Sequence, residues 1–176
     1  MRDYPILALD VAKRLGWAYG APGQKPTSGS VRLITPKQEE GIPEGELRRA
    51  VYRSLRRWLS DFLIVNRTRM VTYESPVASM IHGNTNVQTV RLLIGMAEHV
   101  EEVVPDGVEL REGGISEIRK YFIGTGRPPK NQGKKMVMAR CAALGWQYAD
   151  DNAADALALW AYQCFCVDRS ADVRGL

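Results

Sequence analysis

The 176-residue sequence predicts an α/β fold built on a mixed sheet. Three observations carry that expectation. Ile6-Leu7-Ala8-Leu9 is a continuous apolar run, the pattern of a central strand covered on both faces. Two further strand-like segments follow it across turn-rich stretches, as in an antiparallel meander. From residue 46 onward helical and strand-like segments alternate, which adds parallel neighbours to the same sheet.

Residues 4–10 form the first strand, which ends in a carboxylate, Asp10; after a turn, residues 15–19 run back as the second. Residues 21–28 hold Gly, Pro and Ser and read as a loop, and residues 30–34 as a third strand. A polar loop with Pro43 and Gly45 leads to a long amphipathic helix over 46–65. Leu47, Val51, Leu55, Leu59 and Phe62 or Leu63 recur there at helical spacing as its buried stripe. Arg49, Arg53 and Arg57 line another face, expected to be solvated, with phosphate contact as the sharper alternative. Residues 69–74 are a strand that again ends in a carboxylate, Glu74. The loop 77–86 carries Met80 and Ile81, either a wedge between bases or a fold-back onto the domain. Helices are predicted over 87–104, after Gly113-Gly114 through Phe122 with Ser116 as a cap near its start, over 131–144 and over 152–168, with a short strand at 108–110 and a basic loop at 124–130. Residues 1–168 are expected to form one domain and 169–176 a frayed C-terminal tail.

Composition narrows the function classes. No apolar run approaches the roughly 20 residues of a membrane span, and Asp3 and Asp10 interrupt any secretory-type N-terminus, so a cytoplasmic protein with no membrane partner is expected. Three cysteines without CxxC spacing argue against a disulfide framework and a structural zinc site, and two histidines are too few for a His-rich metal centre. The net charge of +4 is unevenly distributed: residues 111–140 sum to +6 and the remainder to −2. A concentrated basic segment on a near-neutral body suits a polyanion, although a solvated charged face gives the same count.

Against this stand the acids. Asp10 and Glu74 close strands that are expected to be central and parallel, so their C-terminal ends lie side by side where open α/β sheets bind ligands. The plainer reading of Asp10 is a cap for the following turn. The last helix adds Asp150, Asp151, Asn152 and Asp155 beside the small residues Ala153, Ala154, Ala156 and Ala158, which allow close approach to the sheet. Asp150 and Asp151 are explained by the helix dipole; Asp155, a turn further on beside an apolar stripe, is not. Facing carboxylates need a cation, and without His or Cys the oxygen donors suit Mg2+, with Mn2+ as the alternative. Two such ions about 4 Å apart would serve phosphodiester hydrolysis. Arg119, Lys120, Arg127, Lys130, Lys134 and Lys135 would then hold the nucleic-acid strand. A P-loop is excluded at 126–135, because the glycines are wrongly spaced and Met136 stands where Ser or Thr is required.

Four pieces in order resemble a known family: Leu9-Asp10 with Gly16-Trp17-Ala18, then Thr72-Tyr73-Glu74, then residues 118–130 around Gly124-Thr-Gly126, then Asp151-Asn-Ala-Ala-Asp155-Ala-Leu-Ala-Leu159. Together they resemble the RuvC-type Holliday junction resolvases of the RNase H-like nuclease superfamily. The divergence elsewhere suggests a phage or mobile-element branch. The resemblance implies a five-stranded mixed sheet flanked by helices, a homodimer, and Mg2+-dependent paired nicking of four-way DNA junctions in DNA recombination and repair. Asp10, Glu74 and Asp155 match the family's acids. Arg119 and Lys130 match basic positions that contact the scissile strand, and Met80-Ile81 lies where the family carries an apolar residue near the junction centre. The chain departs from the pattern at Asn152, where the family has Asp or His. Asp151, one residue away, is the preferred fourth ligand, with Asn152 as the alternative. Two other functions compete with a junction resolvase: a broader nuclease for forks and flaps, and a junction-binding protein whose catalytic site has decayed.

Overall fold

Strand β1 (Ile6–Asp10) is central because it can be nowhere else: its four aliphatic side chains are all fully buried, so both faces need cover. The computed structural model describes residues 4–76 and 86–175. Around β1 stand β2 (Arg14–Gly20), β3 (Thr27–Arg32), β4 (Met70–Glu74) and β5 (Glu109–Gly113), in the order β3-β2-β1-β4-β5. β1, β2 and β3 pair antiparallel, whereas β4 is parallel to β1 and to β5. The mixed five-stranded sheet is therefore the one expected.

Strand alternation sorts the side chains between two layers. Leu7, Leu9, Val71 and Tyr73 point to one face and pack against α2 (Glu44–Val65) and α3 (Val87–Val103). Ile6, Ala8 and Met70 point to the other and pack against α4 (Ile115–Ile123), α5 (Gly133–Ala143) and α6 (Asp151–Val167). By the same alternation Asp10 and Glu74 leave the sheet on the α6 side.

The α2 stripe is the predicted one, with Val51, Leu55 and Leu59 fully buried. Gly95 of α3 admits Tyr52 of α2: a Cβ there would lie 2.3 Å from the tyrosine oxygen, which donates to the Arg91 carbonyl. The buried face of α3 is Leu92, Met96, Ala97 and Val100, rotated from the face expected at Val90, Leu93 and Ile94.

Several boundaries differ from the sequence expectation. β3 starts at Thr27 and ends at Arg32, so Leu33 and Ile34 enter the core beyond the strand. The loop after it contains α1 (Pro36–Glu39), capped reciprocally by Thr35 and Gln38. β5 is shifted to 109–113 because it takes its register from β4. The expected frayed tail is docked over its described residues. Val173 is nearly buried, its N–H donates to the Tyr121 hydroxyl, and Arg140 donates to its carbonyl. Arg174 lies over the Tyr121 and Phe165 rings. The expected wedge at Met80 and Ile81 lies outside the described residues.

Candidate active site

The site is assembled by the meeting of two strand ends with one helix. β1 and β4 pair in parallel with Leu9 opposite Tyr73, so the next step places Asp10 alongside Glu74. Across the sheet, Asp10 pairs with Gly16 of β2. Gly16 matters because the first turn of α6 sits on it: a Cβ there would fall 2.1 Å from the Asn152 carbonyl oxygen. Only glycine permits this approach, and the buried Ala153, Ala154, Ala156 and Ala158 continue it along the helix.

Polar contacts fasten the start of α6 to the strands. Asp150 caps the helix by accepting from the Ala153 N–H at 3.0 Å, and it also accepts from Arg14 at 2.8 Å and Ser30 at 2.7 Å. The Asn152 side chain donates to the Arg14 carbonyl at 2.8 Å. Further along, Trp160 Nε1 donates to the Gly20 carbonyl at 3.0 Å. The rotation of α6 is thus fixed against β2, which delivers Asp155 to the side of the sheet where Asp10 and Glu74 emerge.

Asp10, Glu74, Asn152 and Asp155 line one cavity of about 380 Å3, together with Lys13, Arg119 and Lys134. The carboxyls sense both burial and one another. Burial holds Asp10 well above the ordinary carboxylate range, and the charges of Asp155 and Glu74 add to it. Glu74 is pushed up to about 7 by burial and then by Asp155, with Arg119 and Lys134 opposing. Asp155 is raised by burial, against the same two cations. Among the described residues, no three His, Cys, Asp or Glu side chains stand close enough together to hold one ion. The three acids line a common cavity without closing on a single point.

The two neighbours at the start of α6 differ. Asn152 is on the cavity wall; Asp151 is not among the lining residues and instead accepts from Lys134 Nζ at 2.7 Å. That hydrogen bond, with the lysine charge, holds the Asp151 carboxyl below its ordinary range. Charge alone favours Asp151 as fourth ligand, whereas the facing of the first helical turn puts Asn152 on the cavity wall and Asp151 beside Lys134.

A second cavity of about 790 Å3 adjoins the first, with Ile115, Arg119 and Lys134 on the wall of both. Arg127, Lys130 and Gly133 also line it. Its loop is held by glycines: Gly124 ends α4 in the left-handed region at φ 79°, and a Cβ at Gly126 would sit 2.6 Å from the Ser116 carbonyl oxygen. Of the basic residues singled out in the sequence, Arg119, Arg127, Lys130 and Lys134 converge here. Lys120 lines a different cavity with Arg140 and Arg174, and Lys135 is exposed, one residue beyond Lys134 on α5.

No protein-family model and no curated protein matches the sequence. Solved structures do. The RuvC structure of Thermus thermophilus superposes at a TM-score of 0.59 with 20% identity, over 95% of this chain and 97% of that one. The same organism's RuvC in complex with a Holliday junction substrate superposes at 0.60 with 18% identity, over 96% and 97%. The chain has the RuvC fold. Within that fold the acid cavity lies at the C-terminal ends of the parallel strands β1 and β4, which is the edge at which open α/β sheets take ligands. The RuvC fold also carries α6 across β1 and β2, so Asp155 reaches the strand-end acids from the helix layer.

Proposed function

We propose that this chain is a structure-selective DNA endonuclease that resolves four-way junctions by divalent-metal-dependent hydrolysis of phosphodiesters in opposite strands. The carrying observation is the adjacency of the two cavities: an acid-lined space and a basic groove share Ile115, Arg119 and Lys134 on their walls. A neutral or cationic ligand would not need the groove, and a phosphate without a cation would be repelled by the acids. A phosphodiester accompanied by divalent ions satisfies both halves.

The donor set fits Mg2+, with Mn2+ as substitute: three partly buried carboxylates, no His or Cys lining the cavity, and carboxyl groups held up first by burial and, for Asp10 and Glu74, also by neighbouring acids, a charge that a divalent cation would offset. Asp10, Glu74 and Asp155 would hold it, with Asn152 beside them. Divalent ions held there would supply water activation and charge stabilisation for the leaving oxygen. The chain's own residues do the rest. Arg119, Arg127 and Lys130 hold phosphates on either side of the scissile one, so that it lies over the acids. Because a four-way junction has two-fold symmetry, a homodimer would present two such sites to opposite strands.

Incubation of the protein with labelled four-way junction, fork and plain duplex, with and without Mg2+, tests this reading. Paired nicks at symmetry-related positions of the junction, dependent on Mg2+ and absent from duplex, are the expected result. Equal cleavage of forks would point to a general debranching nuclease, and Mg2+-independent binding without nicks to a protein that only binds junctions, the role to which the neutral Asn152 side chain is suited.

A further inference from the structure

We propose that Lys134 is a built-in counter-cation of the acid cavity, which an entering divalent ion must displace and which Asp151 then retains nearby. The inference rests on the reading of that cavity as a divalent-cation site. Lys134 stands in the first turn of α5, yet its ammonium reaches across to α6, 2.7 Å from Asp151 Oδ2 and 3.9 Å from Asp155 Oδ2. Its two partners differ in a telling way. The Asp155 side chain is 13% exposed and belongs to the cavity, whereas that of Asp151 is 42% exposed and lies outside its wall. The lysine is therefore anchored on the rim by the shorter contact and leans into the cavity by the longer one.

This arrangement answers a problem that the acids create. Three carboxylates around one space repel each other when no metal is present. A lysine suits the temporary role, since its ammonium is a compact charge on a flexible stem and can swing away without moving the backbone. The position also excludes simple strand binding as its whole purpose, because an ammonium committed to Asp151 and Asp155 has less to offer a phosphate than Arg127 or Lys130 on the open groove. Displacement by a doubly charged ion would leave the Lys134–Asp151 pair intact at the rim. Asp151 is then a positioning residue for the lysine and not a metal ligand.

The test is calorimetric titration of the full-length chain with Mn2+ alone, comparing wild type with K134M, K134Q and the neighbouring K135M. Removing the resident cation should tighten Mn2+ binding by about fivefold in both Lys134 variants, the upper end for a partly exposed ion pair. K135M should stay within about twofold of wild type, because general field effects at this range are largely screened. In EDTA the Lys134 variants should also melt at lower temperature than wild type and regain the difference when Mn2+ is added. Wild-type binding with no tightening in either Lys134 variant overturns the proposal while leaving the cation site standing. So does equal tightening in K135M, which would reduce the effect to net charge. No Mn2+ uptake by any of the four proteins overturns the cation site itself, and the proposal with it.

Discussion

Glu74 ionises near 4.5 in an unfolded chain but at about 7 in the folded one. Between those values the folded protein keeps a proton that the unfolded chain has released. The metal-free protein therefore loses stability as pH rises through that window, and Asp10 and Asp155 act in the same direction. Thermal melts in EDTA should show the midpoint falling from pH 4.5 towards 7, E74Q should flatten the fall, and Mg2+ should restore stability at the upper end. A flat wild-type profile would mean that the acids are not held up by burial in the folded chain. Asp10 is the plainest test of chemistry at this scale. Asp10→Asn keeps the shape of the strand end but removes a carboxylate from the acid cavity, where the proposed reaction would take place. It should lower junction cleavage by about a thousandfold or more, equivalent to some 4 kcal/mol of barrier, with junction affinity in a filter or gel assay unchanged or tighter. Loss of binding together with loss of folding would assign Asp10 to the framework. Asp10, Glu74 and Asp155 are all legible in the sequence as candidates: Asp155, a turn inside an apolar helix, lacks a bland explanation, whereas Asp10 alone reads as readily as a turn cap and gains its meaning only beside the other two. Lys134 was legible only as one of a group of basic residues. Whether a helical lysine faces an acid or a groove depends on the rotation of α5, which two residues' displacement reverses.

At the scale of elements, the α6–β2 contact decides whether the acids meet. Gly16→Ala would drive a methyl group into the backbone of Asn152, which cannot swing aside. Overpacking of this kind costs about 1–3 kcal/mol, and it should lower cleavage as well as the melting temperature, since the first turn of α6 moves with it. Unchanged cleavage and stability would show that the helix start has slack. Asp150→Ala removes the α6 cap and its ties to Arg14 and Ser30. A lost cap alone costs about 1 kcal/mol; the drop in denaturant stability should exceed that because two cross-element hydrogen bonds go too. The elements themselves were largely readable, and the misses have physical causes. α1 was overlooked although Thr35 and Gln38 are spaced as a capping box, because four residues give no periodicity. β5 and β3 were displaced because strand ends are set by the partner's register and not by local apolar content. The docked C-terminus was missed because Val173 and Arg174 gain their partners, Tyr121 and Phe165, only in three dimensions.

For the whole molecule, acid and basic regions far apart along the chain become neighbours because α5 and α6 pack together on one face of the sheet. The net +6 of residues 111–140 is divided by this packing: part lines the groove and Lys134 turns toward the acids. Lys130 is on the groove, so Lys130→Ala should weaken binding of any DNA and reduce the salt dependence of log affinity by about one counterion. An unchanged salt slope would make it a solvated lysine. No helix among the described residues is long and apolar enough to cross a membrane. The central claim is that Asp10, Glu74 and Asp155 converge on a common divalent-ion site. A crystal grown with Mn2+ tests this most directly, through its anomalous difference map. The account predicts peaks bonded to carboxylate oxygens of all three residues, with the Lys134 ammonium moved off Asp155; a fully occupied Mn2+ site elsewhere, with these three side chains uncoordinated in a crystal that still cleaves junctions when dissolved, would contradict it.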